Sequence, residues 1–196
     1  MIHFDAHPDC EPSMFGHLIT HATPVTRLIE DEHIPGRNFI QIGLRSAMAP
    51  SNELLAWMHE HGMRTHFMAE IDRRGFKVVL RDAIAEALDG PEYLYLSLDI
   101  DVLDPAFAPG TGAPEPPGLT NRELLPTLLR IGHETPLVGM EVVEILPHLD
   151  PGYSTTMNAR RAIFEVLSGI AMRRTGLPGP DYLDPAVSGP PPGHDT

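Results

Sequence analysis

The sequence predicts an α/β protein built on a mainly parallel sheet whose two faces are covered by helices. Short apolar segments with strand-like composition alternate with segments in which apolar residues recur at helical spacing, and glycine or proline punctuates them. Strands that alternate with helices form parallel sheets, and such sheets are buried on both faces. The chain has 196 residues, so one domain of this kind is expected.

The amino-terminal half supplies three predicted strands and two predicted helices. The strands occupy residues 2–4 (IHF), 38–44 (NFIQIGL) and 64–68 (RTHFM). The first helix has Pro24 at its first position and Thr23 as its cap. Ser51 caps the second helix, which ends near Gly62. Its apolar residues are Leu54, Leu55 and Met58.

The carboxyl-terminal half supplies two predicted strands and three predicted helices. The strands occupy residues 92–98 (EYLYLSL) and 137–146 (LVGMEVVEIL). Apolar residues between Val79 and Leu88 recur at helical spacing, and Gly90 closes that helix. Thr120 and Glu123 form a capping box at the start of the next helix. The last helix spans residues 155–174, and the apolar residues expected on one side of it are Ala159, Ala162, Ile163, Val166, Leu167, Ile170 and Ala171.

The composition changes close to the carboxyl terminus. Six of the last 19 residues are proline. Proline at this density favours an extended segment without a packed core. We therefore predict a folded domain over residues 1–176 and a disordered tail over residues 177–196.

Overall charge and cysteine content exclude several classes of function. There are 14 Lys and Arg residues against 27 Asp and Glu residues, for a formal net charge of −13, which argues against nucleic acid or an anionic membrane as partner. Cys10 is the single cysteine, so neither an intrachain disulfide nor a cysteine zinc cluster is expected. The sequence has no long uncharged apolar stretch and no signal-peptide pattern, so we expect a cytoplasmic protein.

Two acidic clusters follow predicted strands. HFDAHPD places Asp5, His7 and Asp9 at alternating positions, and SLDIDVLDP does the same with Asp99 and Asp101. Alternation directs such side chains to one side of an extended chain. Either cluster alone is also typical of a polar loop. Together, they lie where an α/β sheet opens its cleft, at the carboxyl ends of the strands.

The chemistry of these side chains favours a pair of divalent cations. Four carboxylates at one strand end repel one another unless cations neutralise them, and two divalent ions would balance four carboxylates. Carboxylates with one imidazole suit manganese better than zinc held by thiolates. Two such ions could lower the pKa of a shared water molecule enough to yield hydroxide near neutral pH.

Three segments resemble the ureohydrolase family of arginases and agmatinases. They are DAHPD, SLDIDVLDPAFAPGTGAPEPPGLTNREL and GMEVVEILPHLD, and the resemblance extends over about residues 1–174. It implies an arginase-like three-layer α/β/α sandwich, a homo-oligomer, and two Mn²⁺ ions that serve to hydrolyse a guanidinium group to urea and an amine. The metal ligands that it implies are Asp5, His7, Asp9, Asp99 and Asp101, with Asp5 and Asp99 bridging.

The same resemblance implies roles in substrate binding and catalysis. Glu144 in VVEILP matches the carboxylate that binds the guanidinium group, although a glutamate at a strand end is otherwise typical of a surface or cap. His21 matches the histidine that transfers protons to the leaving amine and contacts the substrate, with His17 as the local competitor. Asp101 is the second predicted catalytic residue. The residues predicted as surface or helix-end histidines are His33, His59, His61, His66, His133 and His148.

Other features depart from the family or have a structural interpretation. The family has a Gly-Gly-Asp-His segment upstream of DAH whose histidine completes the metal site, and this sequence does not contain it, so we expect the chain to correspond to the carboxyl-terminal portion of a ureohydrolase. His194 is a poor substitute for that histidine because it lies in the proline-rich tail. Glu141 stands where the family usually has Asp, and Pro117 where it usually has Gly.

Two other features have a structural interpretation. The PGTGAPEPPG loop is expected to shape the cleft rim, and Cys10 is expected to be a buried bystander.

Agmatine is the expected substrate. The layout of phenylalanine, glycine and then His-x-Thr-Pro between residues 15 and 24 resembles agmatinases, whereas the loop lacks the Asn and Ser pattern of arginases. Guanidinobutyrate or another guanidino acid is the close alternative. An inactive fragment that binds metal weakly is a second hypothesis. A metal-dependent deacetylase is a third, and the Glu144 segment and the rim loop argue against it.

Overall fold

The computed structural model describes residues 1–46 and 50–177, and five strands within them form one parallel sheet. The strands are β1 (Ile2–Phe4), β2 (Ile40–Ile42), β3 (Arg64–His66), β4 (Leu94–Asp99) and β5 (Leu137–Val143). Their spatial order is β3-β2-β1-β4-β5, and every neighbouring pair is parallel. The predicted parallel sheet is therefore confirmed.

Helices pack on both faces of this sheet. They are α1 (Pro24–Glu30), α2 (Asn52–Glu60), α3 (Met68–Arg74), α4 (Phe76–Ala87), α5 (Asn121–Glu134) and α6 (Ser154–Thr175). Ile2 and Phe4 of β1 belong to the main core, which α3 to α6 complete. A second core lies around Phe39, on the side to which alternation along β2 directs that ring, and α1 and α2 supply most of it. The result is the expected α/β/α arrangement.

The strand order reverses between β1 and β4. From β1 the chain adds β2 and then β3 on one side, whereas β4 and β5 lie on the other side. Phe4 pairs with Leu98, so the residues that follow β1 and those that end β4 emerge side by side at one edge of the sheet. Ligands of open α/β sheets bind at such a switch point, beyond the carboxyl ends of the strands.

Two of the three predicted helix caps are confirmed. The Ser51 side chain accepts a hydrogen bond from the Leu54 amide (3.1 Å), and Thr120 with Glu123 forms the capping box of α5. Thr23 occupies the predicted cap position before Pro24, but its side chain does not cap the helix, because its hydroxyl exchanges hydrogen bonds with Thr20. The Val25 amide at the start of α1 donates instead to the carbonyl oxygen of Asp9 (3.2 Å).

Several predicted boundaries differ from the structure. Residues 36–38 form a 3₁₀ turn, so β2 is shorter than predicted. Residue 68 begins α3, a short helix that the sequence pattern did not indicate. The last strand ends at Val143 because Glu144 has a φ of 59°, which an extended strand does not allow.

The apolar face of α6 is narrower than predicted. Ile163 and Leu167 are 39% and 56% exposed, and Ala171 is exposed as well, whereas Ala159, Ala162 and Val166 are buried. Gly132 and Gly169 explain the difference. A Cβ atom at Gly169 would lie 2.2 Å from the Leu129 carbonyl oxygen, and one at Gly132 would lie 2.4 Å from that of Val166. The backbones of α5 and α6 are therefore in close contact along one narrow stripe.

Among the described residues, no helix has the length and apolar character needed to cross a membrane. Residues 178–196, which include His194 and all but the first residue of the predicted tail, lie outside the described residues. The division at residue 176 therefore stays a prediction.

Candidate functional site

A cleft of about 930 Å³ opens at the carboxyl ends of β1, β4 and β5. All seven residues that the sequence singled out for metal binding, substrate binding or catalysis line this cleft, namely Asp5, His7, Asp9, His21, Asp99, Asp101 and Glu144. Two positions of the rim loop, Gly112 and Ala113, line it as well, in keeping with the predicted role of that loop.

Asp5, His7 and Asp101 form the centre of the site. Each offers one ligand atom, and the three atoms lie within 4.8 Å of one another. His7 Nδ1 is 2.9 Å from Asp101 Oδ2 and 3.5 Å from Asp5 Oδ1. Asp5 and Asp101 are buried and His7 is partly buried, so the group has the spacing and the composition of a metal site.

Backbone amides fix the orientation of the carboxylates. Asp5 Oδ1 accepts a hydrogen bond from the His7 amide (2.6 Å), and Asp101 Oδ1 accepts one from the Ala6 amide (3.0 Å). Asp99 ends β4, and its Oδ1 accepts a hydrogen bond from the Asp101 amide (2.8 Å), which starts a 3₁₀ turn at residues 100–102. The turn directs Asp101 back towards β1, so the two acidic clusters are tied to each other.

The charges at the centre are strongly coupled. Asp101 and Asp5 raise the pKa of His7 to about 10. Burial by itself would raise the pKa of Asp5, but the proximity of His3 and His7 outweighs it and lowers that pKa to about 2. This corner of the cleft therefore favours the charged forms of His7 and Asp5.

For the other two carboxylates, Asp9 and Asp99, the ionised form is disfavoured. Burial and the nearby Asp5 raise the pKa of Asp9 to about 7. Burial, Asp5 and Asp101 raise the pKa of Asp99 to about 10. A bound cation reverses this preference, because it neutralises the repulsion between the carboxylates.

One buried oxygen indicates where a cation fits. Asp5 Oδ2 is buried and accepts no hydrogen bond of good geometry, and His3 Nε2 lies 3.1 Å from it. Its burial carries a desolvation cost, which the nearby His3 imidazole reduces and a bound cation would reduce further. Oxygen-rich donors with one imidazole match manganese, so the residues at this site fit the metal that the sequence predicts.

His3 and Gln41 belong to the surroundings of the site, and neither was predicted to take part in it. His3 is buried on β1, and the Asp5 carboxylate outweighs the effect of burial, so the pKa of His3 is raised. Gln41 on β2 donates to the carbonyl oxygen of Pro8 (2.8 Å), and its Nε2 lies 3.5 Å from His3 Nδ1. Strand alternation could have shown that both side chains face the cleft side of the sheet.

The predicted substrate residues lie at the mouth of the cleft. His21 is exposed and lines it, whereas His17 is absent from the described residues that line it. Glu144 is exposed, and its Oε2 would lie 2.9 Å from a Cβ atom at Gly112. The left-handed backbone at Glu144 turns the chain just where the strand ends.

The structure also bears on the predictions made for Cys10 and His66. Cys10 is buried and donates to the carbonyl oxygen of Pro8 (2.9 Å), and burial raises the pKa of its thiol, as expected for a bystander. His66 was predicted at the surface, and this is wrong. It is 6% exposed at the end of β3, with Nδ1 and Nε2 each 3.1 Å from a carboxylate oxygen, of Glu70 and Glu86 respectively.

Comparisons with known proteins agree with the sequence motifs. The profile of the Arginase family matches residues 1–169. Guanidinopropionase from Pseudomonas aeruginosa is 39% identical over 173 residues, which cover 87% of this chain and 53% of that protein. An agmatinase from Halalkalibacterium halodurans is 34% identical over 170 residues, which cover 86% of this chain and 54% of that protein.

A solved structure shares the fold. Proclavaminate amidino hydrolase from Streptomyces clavuligerus superposes with a TM-score of 0.79 at 35% identity, over 88% of this chain and 56% of that one. The chain thus spans about half the length of the relatives that it matches.

Proposed function

The chain belongs to the Arginase family, and we propose that it contributes to manganese-dependent hydrolysis of a guanidino compound to urea and an amine, with agmatine as the preferred substrate. The observation that carries the proposal is the convergence of two acidic clusters, from adjacent strands, around Asp5, His7 and Asp101. A further carboxylate, Glu144, lines the same cleft.

We assign the metal ligands to the five residues of the two clusters. They are Asp5, His7, Asp9, Asp99 and Asp101, with Asp5 and Asp99 as the bridging pair. Manganese held there would lower the pKa of water and so supply a nucleophile near neutral pH. Asp101 has a catalytic role in this proposal, because it holds both the His7 ring and the metal.

Substrate recognition depends on Glu144. A planar guanidinium cation pairs well with a carboxylate through two parallel hydrogen bonds. Gly112 supports this role, since any larger side chain there would press against Glu144 Oε2. His21 at the mouth of the cleft is suited to donate a proton to the departing amine, because imidazole exchanges protons near neutral pH.

The charge of the cleft supports agmatine over a guanidino acid. Glu11, Glu141 and Glu144 line the outer part of the cleft, and no lysine or arginine side chain is among the described residues that line it. A substrate carboxylate would meet repulsion there, whereas the ammonium group of agmatine would be attracted. Guanidinobutyrate is the alternative substrate, because relatives of comparable similarity act on guanidino acids, as the name guanidinopropionase states.

A catalytically impaired metal-binding chain is the second candidate. Among the described residues, ligand atoms within 4.8 Å of one another come from three residues only, and a single histidine is one of them. A site of this kind would hold manganese below two ions per chain and release little urea.

Metal binding and urea release test the proposal together. The purified chain is loaded with Mn²⁺, its metal content is measured, and urea is assayed with agmatine, guanidinobutyrate, guanidinopropionate and arginine. We expect agmatine to give the fastest release and Asp99→Asn to abolish it. Fewer than two ions with negligible urea would support the impaired chain instead. Light scattering on the same sample tests the expected homo-oligomer.

A further inference from the structure

Arg45 is not among the residues that line the cleft, but it contacts several segments that end there. It follows β2 and is partly buried. Its guanidinium group donates to four backbone carbonyl oxygens: Nε to Glu115 (2.8 Å), Nη1 to Gly43 (3.2 Å), and Nη2 to Asp101 (2.7 Å) and Leu103 (3.3 Å). One side chain therefore contacts three separate segments.

The three segments are those that shape the cleft. Gly43 follows β2, Asp101 and Leu103 belong to the turn after β4, and Glu115 belongs to the rim loop. The Arg45 amide also donates to the carbonyl oxygen of Ala6 (3.0 Å), between Asp5 and His7. Arg45 is thus bonded to the ends of β1, β2 and β4 and to the rim at once.

We propose that Arg45 is a positioning residue that holds the Asp99–Asp101 turn against the Asp5–His7 segment and thereby fixes the geometry of the metal site. The inference rests on the proposed function for the metal, whereas the hydrogen bonds that carry it are independent of any metal. Arg45 acts through the main chain of Asp101, whose side chain reaches His7 and the Ala6 amide.

The surroundings of Arg45 suit a planar guanidinium group, which has N–H donors on several sides. A Cβ atom at Gly118 would lie 2.5 Å from Arg45 Nη2 and 2.4 Å from the Asp104 amide nitrogen, so the rim loop needs glycine at this point. Lysine carries a single ammonium group and cannot reach carbonyl oxygens on several sides at once. Burial lowers the pKa of Arg45, and the nearby Asp101, Asp104 and Glu115 offset only part of this effect. A guanidinium group stays charged under such conditions, whereas the pKa of a lysine shifts readily on burial.

Arg45→Lys tests the inference because it keeps the positive charge and removes the planar guanidinium group with its several donors. Amide hydrogen exchange of metal-free protein should become at least about tenfold faster in residues 99–103 and 113–118. Mn²⁺ affinity, measured by electron paramagnetic resonance of free Mn²⁺, should fall about 10- to 100-fold, the range for groups that orient metal ligands. Arg73→Lys, an exposed site on α3, and Val79→Ala, a core site on α4, should leave Mn²⁺ affinity unchanged.

The outcomes separate this inference from the proposed function. Unchanged exchange in both segments of Arg45→Lys would overturn the role of Arg45. A wild-type chain that binds no Mn²⁺ would overturn the metal assignment, and amide exchange in metal-free protein would still decide the role of Arg45.

The wild-type chain also provides a measurement that needs no variant. By NMR, Hε of Arg45 should exchange with water at least about tenfold more slowly than Hε of Arg73, and equal rates would refute the inference.

Discussion

Replacing Glu144 with glutamine should weaken recognition of the guanidinium group without changing the fold. Glu144 is exposed on a turn, and the substitution keeps its size and its acceptor oxygen while it removes the charge. Hydrogen bonds to a charged group contribute about 1.5–3 kcal/mol each, and solvent screening at an exposed carboxylate reduces this. We take about 2 kcal/mol for the pair, which corresponds to a loss of roughly 30-fold in kcat/KM for agmatine.

Urea release and calorimetric binding of agmatine to the manganese-loaded protein measure this loss, and the calorimetry is independent of turnover. Glu141→Gln is the matched control, because Glu141 is an exposed carboxylate on β5 that lines the same cleft. It should change kcat/KM by less than about threefold, because it removes one of the charges that attract the ammonium group and leaves the carboxylate that pairs with the guanidinium group. Equal effects of the two substitutions would refute a specific role for Glu144 and leave only a general effect of negative charge.

Three further predictions concern stability and metal. Gly169→Ala should lower the free energy of unfolding by about 1–2 kcal/mol in urea titrations, because overpacking against the α5 backbone outweighs the gain in helix propensity; an unchanged or raised value would contradict the close contact. Asp104 accepts hydrogen bonds from the amides of Ala106 and Gly118, which lower its pKa below the ordinary 3.8. Asp104→Ala should therefore cost about 1 kcal/mol above pH 5, and the difference from wild type should disappear as the pH falls through the lowered pKa; a cost that stays constant down to pH 3 would exclude this cause. Mn²⁺ at about 100 times its Kd should stabilise the protein by about 2.7 kcal/mol, and EDTA should reverse this in thermal unfolding, whereas a melting temperature insensitive to both would argue against a metal site.

The sequence sufficed for the fold class and for the residues that meet in the cleft. Parallel strands send their carboxyl ends to one edge, so residues directly after β1 and at the end of β4 had to lie near each other if the strands were neighbours. The alternating acidic residues supplied the chemistry at that edge. Neither argument needed the long-range hydrogen bonds that the structure reveals.

The contributions of Arg45 and His66 could not be predicted because they depend on partners that only the fold brings together. Arg45 contacts carbonyl oxygens 56 to 70 positions further along the chain, besides that of nearby Gly43. His66 is flanked by Glu70 on α3 and Glu86 on α4, and α3 itself was not predicted. A histidine shows no pattern in sequence that distinguishes a surface ring from one held between two carboxylates.

The exposed part of α6 shows a different limit on prediction from sequence. Apolar periodicity indicated a broad buried face that included Ile163 and Leu167. Helix contact through Gly132 and Gly169 brings the two backbones so close that only a narrow row of residues, most of them small, is buried. Periodicity gives the direction of an apolar face, whereas its width depends on how near the neighbouring helix comes.

Strand order explains why the site combines two clusters that are unremarkable on their own. Phe4 and Leu98 pair across β1 and β4, so Asp5 and Asp99 are the next residues on adjacent strands at the point where the sheet order reverses. That placement makes the carboxylates repel one another. Burial, together with this repulsion, raises the pKa values of Asp9 and Asp99. The backbone is also left-handed at Asp9 and at Glu144, a conformation that costs non-glycine residues energy and is concentrated at functional sites. Both costs fall at the same edge of the sheet, and this coincidence supports the proposal that a cation binds there between the strands.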